Sequence, residues 1–77
     1  MDRDAFYKRV AAILQQTPDD FSRDGGRLPE DPDSVVLLDI MALVHDAYGV
    51  TLSPETLKSA ASADALLRLI DAERASS

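Results

Sequence analysis

The absence of cysteine from a chain of only 77 residues constrains its fold more than any other feature. Without cysteine the chain has no disulfide scaffold, no thiolate nucleophile and no cysteine ligand for a metal ion. A domain of this size buries only about 60% of the surface that its unfolded chain exposes. We therefore expect one domain over residues 1–77, with a thin core and no room to enclose a catalytic pocket.

The charge of the chain limits the class of its partners. Fourteen acidic residues against eight basic ones give a formal net charge of -6. This charge disfavours binding to nucleic acid or to an anionic membrane, and it favours a partner with a basic patch. The longest apolar run, residues 35–38, is far shorter than the roughly 20 residues of a transmembrane helix. No signal-like apolar segment follows Met1, so we expect a cytoplasmic protein. We also expect it to be a monomer.

Helical spacing of apolar residues predicts an all-α domain, a small bundle of three main helices and one short helix. The predicted helices cover about 3–16, 34–48, 54–59 and 63–74, and the third is the short one. A long loop, 17–33, separates the first two helices, and Phe21 and Leu28 are expected to hold it on the core. Gly49 is suited to end the second helix, because glycine tolerates the left-handed backbone found there.

The second predicted helix carries apolar residues on most of its surface. Helical spacing selects one buried stripe, flanked by Val35, Ile40 and Ala42, and the stripe is formed by Leu38, Met41, Val44 or His45, and Tyr48. Val36, Leu37 and Leu43 do not fit this stripe, so they are expected to face solvent or a partner. Denser packing of the core is the alternative for these three residues.

Residue types that carry catalysis or bind metals form no supported set. His45 is the only histidine, and no acid and nucleophile can be placed with it as a triad. Glu30, Asp31 and Asp33 lack the spacing of a calcium loop, and Gly25-Gly26 is not followed by the lysine of a phosphate loop. We therefore expect neither a catalytic residue nor a metal site, and a protein that is not an enzyme.

One motif remains at the point where the long loop meets the second helix. Asp33-Ser34-Val35 begins that helix, and taken alone its first two residues are suited to capping it. The wider pattern resembles the acyl and peptidyl carrier protein family, and it includes the helix acid Asp39, the step Leu52-Ser53-Pro54 and the helix start Ser62-Ala63. The specific part covers residues 33–70, with valine in place of the family's usual leucine after the serine.

The resemblance implies a function for Ser34 and for its neighbours. Ser34 would receive 4′-phosphopantetheine from coenzyme A through a separate phosphopantetheinyl transferase, with Asp33 as the motif acid. Acyl groups would then be carried as thioesters for fatty acid, polyketide or related biosynthesis. Loading and transfer enzymes with basic docking patches would contact residues of the second helix: Val35, Val36, Leu37, Asp39 and Leu43. A solvated surface acid is the alternative for Asp39.

Two other functions stay open at this stage. Within the same family, the chain could be an aminoacyl or peptidyl carrier of nonribosomal peptide synthesis. From a different class, it could be a small helical interaction domain in which Ser34 is never modified. We expect a free-standing polypeptide, and a piece excised from a larger synthase is the alternative.

Overall fold

The computed structural model describes residues 1–75, and most of them lie in helices. The five helices are α1 (Arg3–Ile13), α2 (Pro18–Arg23), α3 (Ser34–Tyr48), α4 (Pro54–Ser59) and α5 (Ala63–Ala75). Within residues 1–75 there is no strand, only an isolated antiparallel bridge between Arg27 and Ser62. The prediction of an all-α chain is confirmed, and a Cα radius of gyration of 11.4 Å is that of a compact chain of this length.

The segment between α1 and α3 differs from the prediction. The prediction of a continuous loop over 17–33 is wrong, because this segment contains α2. The Thr17 side chain caps α2 by accepting a hydrogen bond from the N–H of Asp20 at 3.1 Å, and Pro18 takes the first helical position. Asp19 and Asp20 place negative charge in the first turn, where it is favoured by the helix dipole.

The first helix is shorter than predicted, and the other three predicted helices match closely. α1 ends at Ile13 instead of residue 16, because Gln15 adopts a left-handed backbone with φ 59°. Gly49 ends α3 in the same left-handed region, as expected, with φ 69°. α3 and α4 have their predicted bounds, and α5 extends one residue further, to Ala75. None of the helices in residues 1–75 has the length and apolar character that crossing a membrane requires.

The hydrophobic core is one cluster to which every helix contributes. Its largest fully buried side chains are Phe6, Val10, Phe21, Val44, Leu52, Leu66 and Ile70. Phe21 and Leu28 hold the segment between α1 and α3 on this core, which confirms that prediction. Leu52, in the extended connector after α3, also points inward as expected.

Backbone hydrogen bonds join the segment before α3 to the start of α5. The N–H of Ala63 donates to the carbonyl of Gly26 at 2.8 Å, and the N–H of Leu28 donates to the carbonyl of Ala61 at 3.0 Å. Gly26 has φ 68°, and a Cβ atom placed there would lie 2.8 Å from Cε2 of Tyr7. Both observations favour glycine at this position.

A polar cluster joins α1 to α5 on the surface. The guanidinium of Arg3 donates from Nε and Nη2 to the two carboxylate oxygens of Asp64, each at 2.9 Å. The hydrogen bond from Arg3 lowers the pKa of Asp64, and the same hydrogen bond together with the negative charge of Asp64 raises the pKa of Arg3. The Tyr7 hydroxyl accepts a further bond from Arg3 at 3.3 Å, and burial raises the pKa of Tyr7.

The close approach of Gly26 to Tyr7 predicts unequal effects of alanine at two adjacent glycines. Gly25 also has positive φ, but a Cβ there would meet no atom within 4 Å. Both substitutions carry the cost of a left-handed alanine, about 1–2 kcal/mol. Gly26→Ala should cost about 1–3 kcal/mol more, because it also displaces the Tyr7 ring. Urea unfolding followed by circular dichroism measures the difference, and equal losses would contradict the close contact.

The Arg3–Asp64 pair predicts a pH-dependent contribution to stability. The pKa of Asp64 is lower in the folded state than its ordinary value, so in acid the unfolded state binds a proton more readily than the folded state does. The stabilisation is therefore present above about pH 5 and is lost as the pH falls through about 4 and below.

The measurement is the difference in unfolding free energy between the wild type and Asp64→Asn across this pH range. The difference should shrink in acid, and in an Arg3→Gln background it should be small at every pH. A difference that stays constant from neutral pH to pH 3 would show that the pair does not stabilise the fold.

Candidate functional site

The predicted motif lies at the N-terminus of α3, and Asp33 is the capping residue. An Asp33 carboxylate oxygen accepts a hydrogen bond from the N–H of Val36 at 2.9 Å. The Asp33 carbonyl accepts the first bond of the helix ladder, from the N–H of Leu37 at 3.0 Å. This is the ordinary geometry of an aspartate N-cap, and it fixes the backbone on which Ser34 stands.

Ser34 is the first residue of α3, and it is exposed. Within residues 1–75 its hydroxyl has no hydrogen-bond partner, so the oxygen is available to another molecule. The N–H groups of Ser34 and Val35 have no acceptor inside the helix, because the first turn of a helix lacks preceding carbonyls. An anionic group attached to Ser34 would therefore lie at the positive end of the α3 dipole.

Beyond Ser34, the solvent side of α3 combines aliphatic and acidic side chains. Val35 is 65% exposed and Leu38 is 63% exposed, and both are large apolar residues. Asp39 is exposed on the same side, one turn after Val35. We call this surface the exposed face of α3, formed by Ser34, Val35, Leu38, Asp39 and Ala42.

The buried side of α3 corrects two predictions. Leu43 was expected to face a partner, but it is only 5% exposed and lies in the core with Ile40 and Val44. Leu38 was expected in the core, but it faces solvent. The predicted stripe was rotated around the helix axis, because apolar residues on most sides of α3 let helical spacing fit more than one face.

Other residues of α3 occupy the boundary between the core and the solvent. Val36 and Leu37, which were expected to be exposed, are partly buried against the core, and so is Met41. One signal in the sequence distinguishes the two stripes. The stripe through Leu38 and Met41 continues to the polar His45, whereas the stripe through Ile40 and Val44 meets no polar residue.

Tyr48 anchors the C-terminal end of α3, although it is only partly buried. Its ring packs edge-on against Phe6, with 5.8 Å between the ring centroids. Its hydroxyl donates a hydrogen bond to the carbonyl of Met1 at 3.2 Å, and the guanidinium of Arg74 lies over the ring at 5.9 Å. Burial raises the pKa of the Tyr48 hydroxyl. These contacts fix α3 at the end opposite Ser34.

The remaining polar candidates lie apart from Ser34. His45 is exposed, with Nδ1 3.8 Å from a carboxylate oxygen of Asp46, and it follows Ser34 by about 16 Å of helix. Glu30 and Asp31 are exposed in the segment before α3. Among residues 1–75 no three histidine, aspartate or glutamate side chains are grouped as metal ligands would be.

The structure thus brings Asp33, Ser34, Val35 and Asp39 together at one end of α3, and it separates Leu43 from them. The result is an exposed, unpartnered hydroxyl beside a capping carboxylate, next to an aliphatic and acidic surface. Comparison of the chain with known protein families, curated proteins and solved structures finds no significant match. The functional inference therefore depends on the chemistry of these residues and on the sequence pattern around them.

The orientation of α3 predicts different effects of alanine at two leucines of the same helix. Leu43→Ala should destabilise the protein by about 2–5 kcal/mol, because it leaves a cavity in the core. Leu38→Ala, the matched control, should change the stability by about 0.5 kcal/mol or less, because the side chain is in solvent. Urea unfolding measures both values. The opposite order would show that α3 is turned as helical spacing alone suggested.

Proposed function

We propose that this chain is an acyl carrier protein. It would hold acyl groups as thioesters on a 4′-phosphopantetheine arm attached to Ser34, for fatty acid, polyketide or related biosynthesis. The observation that carries the proposal is the exposed, unpartnered hydroxyl of Ser34 at the first position of α3. The resemblance of residues 33–70 to carrier proteins supports it from the sequence.

The residues around Ser34 are compatible with this arm. The phosphodiester would lie beside the N–H groups of Ser34 and Val35, where the helix dipole favours negative charge. One oxygen of Asp33 is held by Val36, and the rest of the carboxylate remains exposed to an approaching transferase. The arm would supply a terminal thiol to a chain that has no cysteine of its own.

The exposed face of α3 supports reversible docking of the loading and transfer enzymes. Val35 and Leu38 offer aliphatic surface at short range, and Asp39 offers a charge for basic residues of a partner. Interfaces of this kind are small and steered by charge, which suits a carrier that several enzymes must use in turn. Leu38 takes the place that the sequence assigned to Leu43, and Val36 and Leu37 would contribute only at the edge.

A four-helix carrier bundle is the finer description of the fold under this proposal. Its helices would be α1, α3, α4 and α5, and α2 would belong to the connection between the first two. The packing of α3 against both α1 and α4 is compatible with this arrangement.

Two alternative functions differ from this proposal, one in the cargo of the arm and the other in the role of Ser34. An aminoacyl or peptidyl carrier of nonribosomal synthesis would use the same hydroxyl and the same arm with a different cargo. An unmodified interaction domain would use only the exposed face of α3, and the exposure of both Val35 and Leu38 is the observation in its favour.

Enzymatic loading tests the proposal. The protein is incubated with coenzyme A, Mg²⁺ and a broad-specificity phosphopantetheinyl transferase, and its intact mass is then measured. The wild type should gain the mass of one phosphopantetheine group, and Ser34→Ala should gain none. Ser22→Ala is the matched control, because Ser22 is exposed on α2 and lies outside the motif.

Two results would contradict the carrier proposal. The first is an unchanged mass of the wild type while its circular dichroism remains helical, which would favour the interaction domain. The second is a mass gain that persists in Ser34→Ala, which would place the modification elsewhere. Repeating the reaction with acyl-coenzyme A in place of coenzyme A tests whether an acyl group is carried into the product.

A further inference from the structure

A groove separates the segment before α3 from the C-terminal end of α4. Its volume is about 280 Å³, just below the usual range for small-molecule sites. Leu28 and Ala60 form an apolar floor, and both are almost completely buried. Arg27, Glu30 and Lys58 stand around this floor and are exposed.

Backbone hydrogen bonds define the walls of the groove. Leu28 donates to the carbonyl of Ala61 at 3.0 Å, which holds one wall against the other. Ala60 donates to the carbonyl of Leu57 at 3.1 Å, which closes the last turn of α4. These main-chain hydrogen bonds fix the backbone on both sides of the groove.

The charges around the groove differ in sign from the charge of the whole protein. Arg27 and Lys58 contribute two positive charges, and Glu30 contributes one negative charge. Within residues 1–75 none of these three side chains takes part in an ion pair. A chain with a net charge of -6 thus presents, at this groove, one excess positive charge above an apolar floor.

We propose that this groove binds the carboxylate of a small organic acid, with its short aliphatic part on Leu28 and Ala60. Arg27 and Lys58 donate charge-assisted hydrogen bonds to the carboxylate. Glu30 repels a second negative charge, so the site selects one carboxylate over a dianion. The groove is a second site, distinct from the hydroxyl of Ser34.

The carboxylate can come from two sources. One is a free organic acid, and the other is the terminal carboxylate of a group tethered to Ser34. Glu30 precedes Ser34 by four residues, so their Cα atoms are at most about 14 Å apart, within reach of a long flexible arm. The tethered source rests on the proposed function, and the free source does not.

A titration tests the free acid. Sodium butyrate replaces sodium chloride at constant ionic strength, and amide shifts are followed by ¹⁵N–¹H NMR. The amides of Leu28, Lys58 and Ala60 should shift saturably. Butyramide, the neutral analogue, should leave them unchanged.

Substitutions assign the effect to the charges of the groove. Arg27→Gln and Lys58→Gln should each weaken butyrate binding by about two- to fivefold, as expected for an exposed charge pair. Glu30→Gln should strengthen binding by a similar factor. Lys8→Gln is the matched control. Lys8 is exposed on α1, so this substitution removes one positive charge at a position that does not line the groove.

Loading with two acyl-coenzyme A donors tests the tethered acid. Succinyl and butyryl groups have the same number of carbons, but only the succinyl group ends in a carboxylate. The succinyl-loaded protein should show the groove shifts and the butyryl-loaded protein should not. Intact mass reports loading separately, so failure to load contradicts the proposed function while the butyrate titration still decides the groove.

Saturable shifts in either experiment that are weakened by Arg27→Gln and by Lys58→Gln support the site and identify its source. The inference is overturned if neither experiment shifts the groove amides saturably. It is also overturned if Lys8→Gln weakens binding as much as the two groove variants do.

Discussion

Two backbone hydrogen bonds between residues 26–28 and 61–63 hold together parts of the chain that lie far apart in sequence. They place the start of α5 against the segment before α3, so that Leu28, Ala60 and Ala63 are buried in one core. One of them involves Gly26, which lies against the ring of Tyr7. A chain without cysteine has no disulfide to join these two segments, and main-chain hydrogen bonds join them instead.

The ends of the helices could be predicted wherever local chemistry decides them. Asp33, Ser53 and Ser62 each accept a hydrogen bond from a backbone N–H in the first turn of their helix, and Gly49 ends α3. Ser53 is followed by Pro54 and Glu55, and the same order of cap, proline and acid occurs at Thr17-Pro18-Asp19, where α2 was not predicted. α2 contributes only Phe21 to the core, so it has no apolar periodicity from which a helix could be predicted.

The candidate site was predictable in part, for the same reason. Asp33 caps α3 and Ser34 is its first residue, and both positions could be predicted because a helix cap depends on residues that are close in sequence. Which side of α3 faces solvent depends on how α3 packs against α1 and α4, and those contacts are not local. Helical spacing therefore assigned Leu38 and Leu43 to the wrong sides, although both are leucines of the same helix.

The exposed face of α3 also has a consequence for copies of the same chain. Val35 and Leu38 present aliphatic surface that a second copy could cover, since like apolar faces attract one another at short range. Two copies that each carry a charge of -6 repel before that contact is made, whereas a basic protein is drawn in. The negative charge thus favours the approach of basic molecules to this helix over the approach of acidic ones. It disfavours self-association although the aliphatic surface remains exposed.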